Sequence, residues 1–176
     1  GYWELYSISL ISFSRSIEQG LLVLAWRFLT QKKIKKYFTY SSSTLEKLNQ
    51  KKGSGSGALW LVPHFCHADA LSFLASNLPL NALFRPLRNS VFNDLVKASR
   101  ERFGLRAIDR KDGGMLKTLK VLKRGDALIM LFDQNAGGAG TRIEFMGREC
   151  SCTTLPDILY TKYKPKVLFV YTRRTG

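Results

Sequence analysis

From residue 58 onward, short apolar runs alternate with segments whose apolar positions recur every three or four residues. This alternation constrains the fold more than any other feature of the chain. Ala58-Leu59-Trp60-Leu61-Val62 and Ala127-Leu128-Ile129-Met130-Leu131-Phe132 are unbroken apolar runs of strand length, so both faces of each strand need a cover. Ala82-Leu83-Phe84-Arg85, 105–108, 142–145 and 167–171 are further strand candidates. Between them, 69–77, 89–103, 115–123 and 154–162 read as helices. Asn89 suits an N-cap, and Gly104 and Gly125 suit helix stops. Strand alternating with helix predicts an α/β fold with a mainly parallel central sheet flanked by helices.

The first third differs in character. Two apolar blocks, 2–13 and 21–29, are separated by Arg15, Glu18 and Gln19, and Lys32, Lys33, Lys35 and Lys36 follow. Charges mid-segment cost about 2.5–3.5 kcal/mol each at the centre of a bilayer. A helix lying in the interface is therefore favoured over a clean span, with Tyr2, Trp3 and Trp26 as interfacial aromatics and the lysines against anionic headgroups. A packed helix with a solvated basic tail is the alternative. The chain carries 28 Lys and Arg against 13 Asp and Glu, net +15, of which +6 falls in residues 1–52. Basic and apolar residues together point to a membrane surface more than to nucleic acid, whose binders interleave aromatic and basic residues on one surface. We expect a membrane-associated segment at 1–40 and a folded domain at 41–176, with 51–57 as a polar connector. Gly1 without a preceding Met, and an end soon after Arg173-Arg174, are expected of a fragment lacking its C-terminal part. Cys66, Cys150 and Cys152 are too few for a disulfide scaffold and read as free thiols.

Chemistry concentrates at strand ends. The two histidines, His64 and His67, share the segment Val62-Pro63-His64-Phe65-Cys66-His67-Ala68-Asp69. Across a strand-to-helix turn, a spacing of five lets the Asp69 carboxylate fold back on His64 and leave its other nitrogen as a general base. A helix-capping Asp beside a half-buried His satisfies the same spacing. His64, Cys66, His67 and Asp69 with Cys150 and Cys152 suit zinc by type but not by spacing, and no metal is expected. Arg85 leaves a strand ahead of a helix, where a guanidinium can grip phosphate or carboxylate. Asp133-Gln134 follows the most apolar strand and precedes a loop containing Gly137, Gly138 and Gly140. That loop has neither a dinucleotide fingerprint nor a P-loop, and the chain contains no G-x-S-x-G elbow.

Taken in order, these pieces resemble the lysophospholipid acyltransferase superfamily, and within it the bacterial lipid A biosynthesis acyltransferases of the lauroyl/myristoyl type. The carriers are the strand and H-x4-D motif at 59–69, Phe84-Arg85-Pro86 with Asn89, the stretches 100–104, 108–110 and 122–126, Asp133-Gln134 with its glycines, Phe145-Met146-Gly147, and Thr153-Thr154. The resemblance covers 42–174 and departs from the pattern at Cys66-His67-Ala68, Met146 and Phe169. It implies transfer of a fatty acyl chain from the thioester of acyl carrier protein, or alternatively acyl-CoA, to a hydroxyl of a lipid A precursor. The expected setting is the cytoplasmic face of the inner membrane, with the protein peripheral or single-pass. It implies His64 and Asp69 as the catalytic pair and Arg85, Asn89, Asp133, Gln134, Gly147 and Thr153 as substrate-binding residues. Its partners are acyl carrier protein, anionic membrane lipid and the lipid acceptor, with no cofactor, no metal and no nucleic acid. A lysophospholipid or an ornithine-type lipid remains open as acceptor, and a non-catalytic basic binding module remains the reading from another class.

Overall fold

A computed structural model describes residues 1–49, 57–65, 67–111 and 113–175. The Cys66 readings and most of the polar connector lie outside the described residues. Five strands, β1 (Ala58–Val62), β2 (Leu80–Phe84), β3 (Arg106–Asp109), β4 (Ala127–Leu131) and β7 (Lys166–Phe169), form one sheet in the order β3-β2-β4-β1-β7. Every pairing in it is parallel, so all five strands end at the same edge. The remaining two strands, β5 (Thr141–Phe145) and β6 (Arg148–Cys152), make a separate antiparallel hairpin. β6 has no apolar run to announce it. Its partner is supplied by a two-residue turn at Met146 and Gly147, both at positive φ (52° and 72°), the conformation that tight hairpins require.

Residues alternate across the sheet as its pleat demands. Trp60 and Val62 of β1 face one layer, packing with Leu71 and Leu74 of a 3-10 helix at Ala68–Ser76 and with Leu45 and Leu48 of α3 (Ser42–Asn49). Leu59 and Leu61 face the other, against Val121 and Leu122 of α5 (Gly114–Lys123) and Leu159 of α6 (Leu155–Tyr163). Leu59, Leu128 and Leu159 are fully buried, and burial of a side chain of that size contributes roughly 1.5–3 kcal/mol. The helix that joins β2 to β3 is α4 (Ser90–Glu101); Asn89 caps it, its side-chain oxygen accepting the N–H of Phe92 at 3.1 Å.

The N-terminal segment is one continuous helix, α1 (Tyr2–Ala25), uninterrupted at Arg15 and Glu18, which pair with each other at 2.8 Å. At 1.5 Å per residue it is about 36 Å long, and by length and composition it can cross a membrane. Most of it stands clear of the domain: Trp3, Leu5, Ile8 and Phe13 are all more than half exposed. Only its end docks. Trp26 packs with Phe73, Phe103 and with Ile34 of α2 (Gln31–Tyr37), and Arg102 donates to the carbonyls of Trp26 and Arg27 where the helix turns off. This places α1 and α2 on the layer shared with α4, opposite α5 and α6.

Candidate active site

β1 and β4 are neighbours in register, with Val62 beside Leu131. Two residues further along each chain lie His64 and Asp133, so the sheet itself brings together two side chains 69 positions apart. Pro63 cannot donate to the ladder, and β1 stops before it. His64 then turns both its ring and its main chain to one carboxylate. Its Nδ1 lies 2.5 Å from Asp133 Oδ1, and its backbone N–H donates to Oδ2 at 2.8 Å.

This two-point grip fixes the imidazole. Partial burial pushes the Asp133 carboxyl up, but the side-chain hydrogen bond with His64, the backbone N–H groups and the charge of the ring outweigh it, and the group sits below its ordinary value. Asp133 is therefore a carboxylate at neutral pH, and in a neutral imidazole it favours the tautomer with the proton on Nδ1, which leaves the lone pair on Nε2. Nε2 makes no hydrogen bond to the described residues. The pair sits at the open rim of the sheet, with 38% and 31% of the two side chains exposed. It is open to a ligand from solvent.

The expected contact between His64 and Asp69 is absent. Asp69 Oδ1 instead accepts from Arg100 Nε at 2.6 Å, tying the 3-10 helix to α4. The reason lies in the intervening turn. His67 adopts the left-handed region (φ 57°) and the helix after it is 3-10, which carries the first-turn carboxylate toward α4. His67 Nε2 lies 3.7 Å from Glu18 of α1, whose carboxylate also takes hydrogen bonds from Arg15 and Arg174.

The other residues singled out from the sequence distribute along the same edge and the hairpin. Arg85 follows β2 directly and is exposed. Asn89 uses its side-chain oxygen as the α4 cap. Gln134 is exposed beside Asp133, and the loop after it is pinned where Ser151 Oγ donates to the Gly137 carbonyl at 2.5 Å. Gly140 fits there because a Cβ would strike Ser151, Cys152 and Ala136. Gly147 lies in the hairpin turn, and Thr153 Oγ1 accepts the N–H of Leu155 at the start of α6. Cys150 and Cys152 are free thiols on β6.

A sequence profile of the bacterial lipid A biosynthesis acyltransferases matches residues 12–176, nearly the whole chain. The chain belongs to that family. A search of the curated proteins returns no match. As a lipid A biosynthesis acyltransferase, the protein transfers an acyl group, and an imidazole held at a strand end on an open rim can serve such chemistry as a base. The sequence leads us to expect His64 to meet Asp69; in the structure its ring meets Asp133, and Asp69 meets Arg100. Asp133 was visible as a polar residue leaving an apolar strand, yet only the adjacency of β1 and β4 makes it the partner of His64. Arg100, the partner of Asp69, lies in the stretch 100–104 that carries the resemblance, but nothing in the sequence marks that contact.

Proposed function

We propose that this acyltransferase moves a fatty acyl chain from the thioester of acyl carrier protein to a hydroxyl of a lipid A precursor, with His64 as general base. The observation that carries the reading is the bidentate hold of Asp133 on His64. His64 Nε2 takes the proton of the acceptor hydroxyl as its oxygen attacks the thioester carbonyl, and Asp133 steadies the imidazolium that forms. The C–S bond then breaks, and the carrier thiolate receives the proton from His64. Asp69 is a positioning residue, holding the helix after His64 onto α4 through Arg100. Arg85 grips a phosphate of the acceptor, with Gln134 beside it; Gly147 and Thr153 belong to the substrate-facing hairpin and its exit, and Asn89 acts by capping α4. Acyl-CoA is the alternative donor. No metal and no cofactor enters the reaction.

α1 anchors the protein at the inner membrane with the sheet on the cytoplasmic side, and the lysines of α2 rest on anionic lipid. The test is to express the protein, and a His64→Ala partner, in cells lacking their own late lipid A acyltransferase and to weigh the extracted lipid A. Gain of one acyl mass with the first and none with the second supports the reading. Equal gains remove His64 from the chemistry, and no gain with either moves the acceptor to a lysophospholipid or an ornithine-type lipid.

A further inference from the structure

The outer face of α5 carries a one-sided charge that the acyl-transfer chemistry leaves unused. Leu116, Lys120 and Lys123 recur at i, i+4 and i+7, and Lys117, Lys120 and Arg124 at i, i+3 and i+7, so all five side chains share one face of the helix. All are exposed, while the opposite side of the helix buries Thr118, Val121 and Leu122. No acidic residue occurs between Gly114 and Gly125. Asp126, just past the helix, pairs with Arg106 and Arg124.

Position separates this stripe from the lipid-facing parts. The apolar α1 and the lysines of α2 belong to the layer with α4, and α5 lies on the other side of the sheet. Along α5 the exposed apolar groups are confined to its first turn, where Met115 (45% exposed) and Leu116 (66%) stand at the edge to which β3 delivers the chain, the edge that also holds His64. From there the charges run away from the site for about 10 Å. Beyond that turn the face offers charge alone, on the side of the sheet away from α1 and the α2 lysines, which suits it to an acidic protein surface.

We infer that this face docks the acidic protein that carries the acyl thioester: an acidic surface lies along Lys120 and Lys123, Leu116 supplies the apolar contact, and the flexible thioester arm passes over the first turn of α5 to His64. Donor and acceptor then approach from opposite sides of the sheet and meet at its edge. The inference rests on the acyl-transfer reading and adds the surface that receives the donor.

The experiment compares the membrane-reconstituted protein with two double variants, Lys120→Glu with Lys123→Glu and Lys120→Arg with Lys123→Arg. The donors are acylated acyl carrier protein and a small acyl-pantetheine thioester. At low salt the charge reversal raises KM for the carrier donor at least tenfold, and added salt raises the wild-type KM toward it. The arginine pair keeps the wild-type KM, and KM for the small thioester is the same in all three proteins. An unchanged carrier KM after charge reversal overturns the docking surface, and continued transfer shows that the acyltransferase reading stands. A rise for both donors overturns it as well, because the stripe then acts on the fold or the acceptor. Loss of binding to phosphatidylglycerol vesicles by the charge-reversed variant assigns the face to the membrane instead. If the wild-type protein transfers from neither donor, the acyl-transfer reading itself has failed.

Discussion

Replacing Asp133 by Asn separates the carboxylate that holds His64 from the one that merely follows it in sequence. Asp133 accepts at both oxygens, 2.5 Å from Nδ1 and 2.8 Å from the His64 N–H. An amide retains only one acceptor. With its oxygen on the backbone N–H, its NH2 confronts Nδ1, forces the ring proton onto Nε2 and leaves no lone pair for the acceptor hydroxyl. Loss of a positioned base costs about 10²- to 10⁴-fold in kcat, or roughly 3–5 kcal/mol at 1.36 kcal/mol per decade. Because Asp133 spends both oxygens on His64, KM for either substrate should change little. Asp69→Asn breaks the partly buried pair with Arg100 instead, costing about 1 kcal/mol of stability and lowering Tm by roughly 2–4 °C, with kcat reduced less than tenfold. Steady-state transfer from acylated carrier protein to a lipid A precursor, together with thermal melts of both variants, measures these quantities. If Asp133→Asn keeps wild-type kcat while a folded Asp69→Asn protein loses it, the assignment of the two carboxylates is wrong.

Further outcomes follow from the same geometry. Asn89→Ala removes the α4 cap and should lower stability by about 1 kcal/mol in urea melts, without altering the pH profile of transfer. Gly140→Ala drives a methyl into Ser151, Cys152 and Ala136, and should cost about 1–3 kcal/mol while displacing the loop that follows Asp133, read as a joint fall in Tm and kcat. The carboxyl of Asp133 is lowered in the folded protein, so its stabilisation is present above the ordinary carboxylate value and is lost as pH falls through the still lower folded value. Urea midpoints below about pH 4 should therefore decline less steeply in Asp133→Asn than in the wild type.

What the sequence by itself determined is the set of parts. Apolar runs at 58–62 and 127–131 must be strands covered on both faces, because nothing else of that length buries so many consecutive side chains. Asn89, Gly104 and Gly125 mark helix ends through chemistry that acts within a few residues: a side-chain acceptor for an orphan N–H, and backbones at φ 97° and 80° that favour glycine. The order of motifs was enough to suggest the family. Two local matters were not legible. α1 runs unbroken past Arg15 and Glu18, which pair with each other on one helix face, a contact that the two apolar blocks do not announce. β6, polar throughout, becomes a strand only by pairing with β5. Tertiary structure alone decided the partner of His64. A spacing of five looks close along the chain, but a left-handed residue at His67 turns Asp69 away, while parallel register between β1 and β4 sets a residue 69 positions distant beside the ring. Nearness in a sheet is fixed by strand order, and strand order is the outcome of the whole core packing at once.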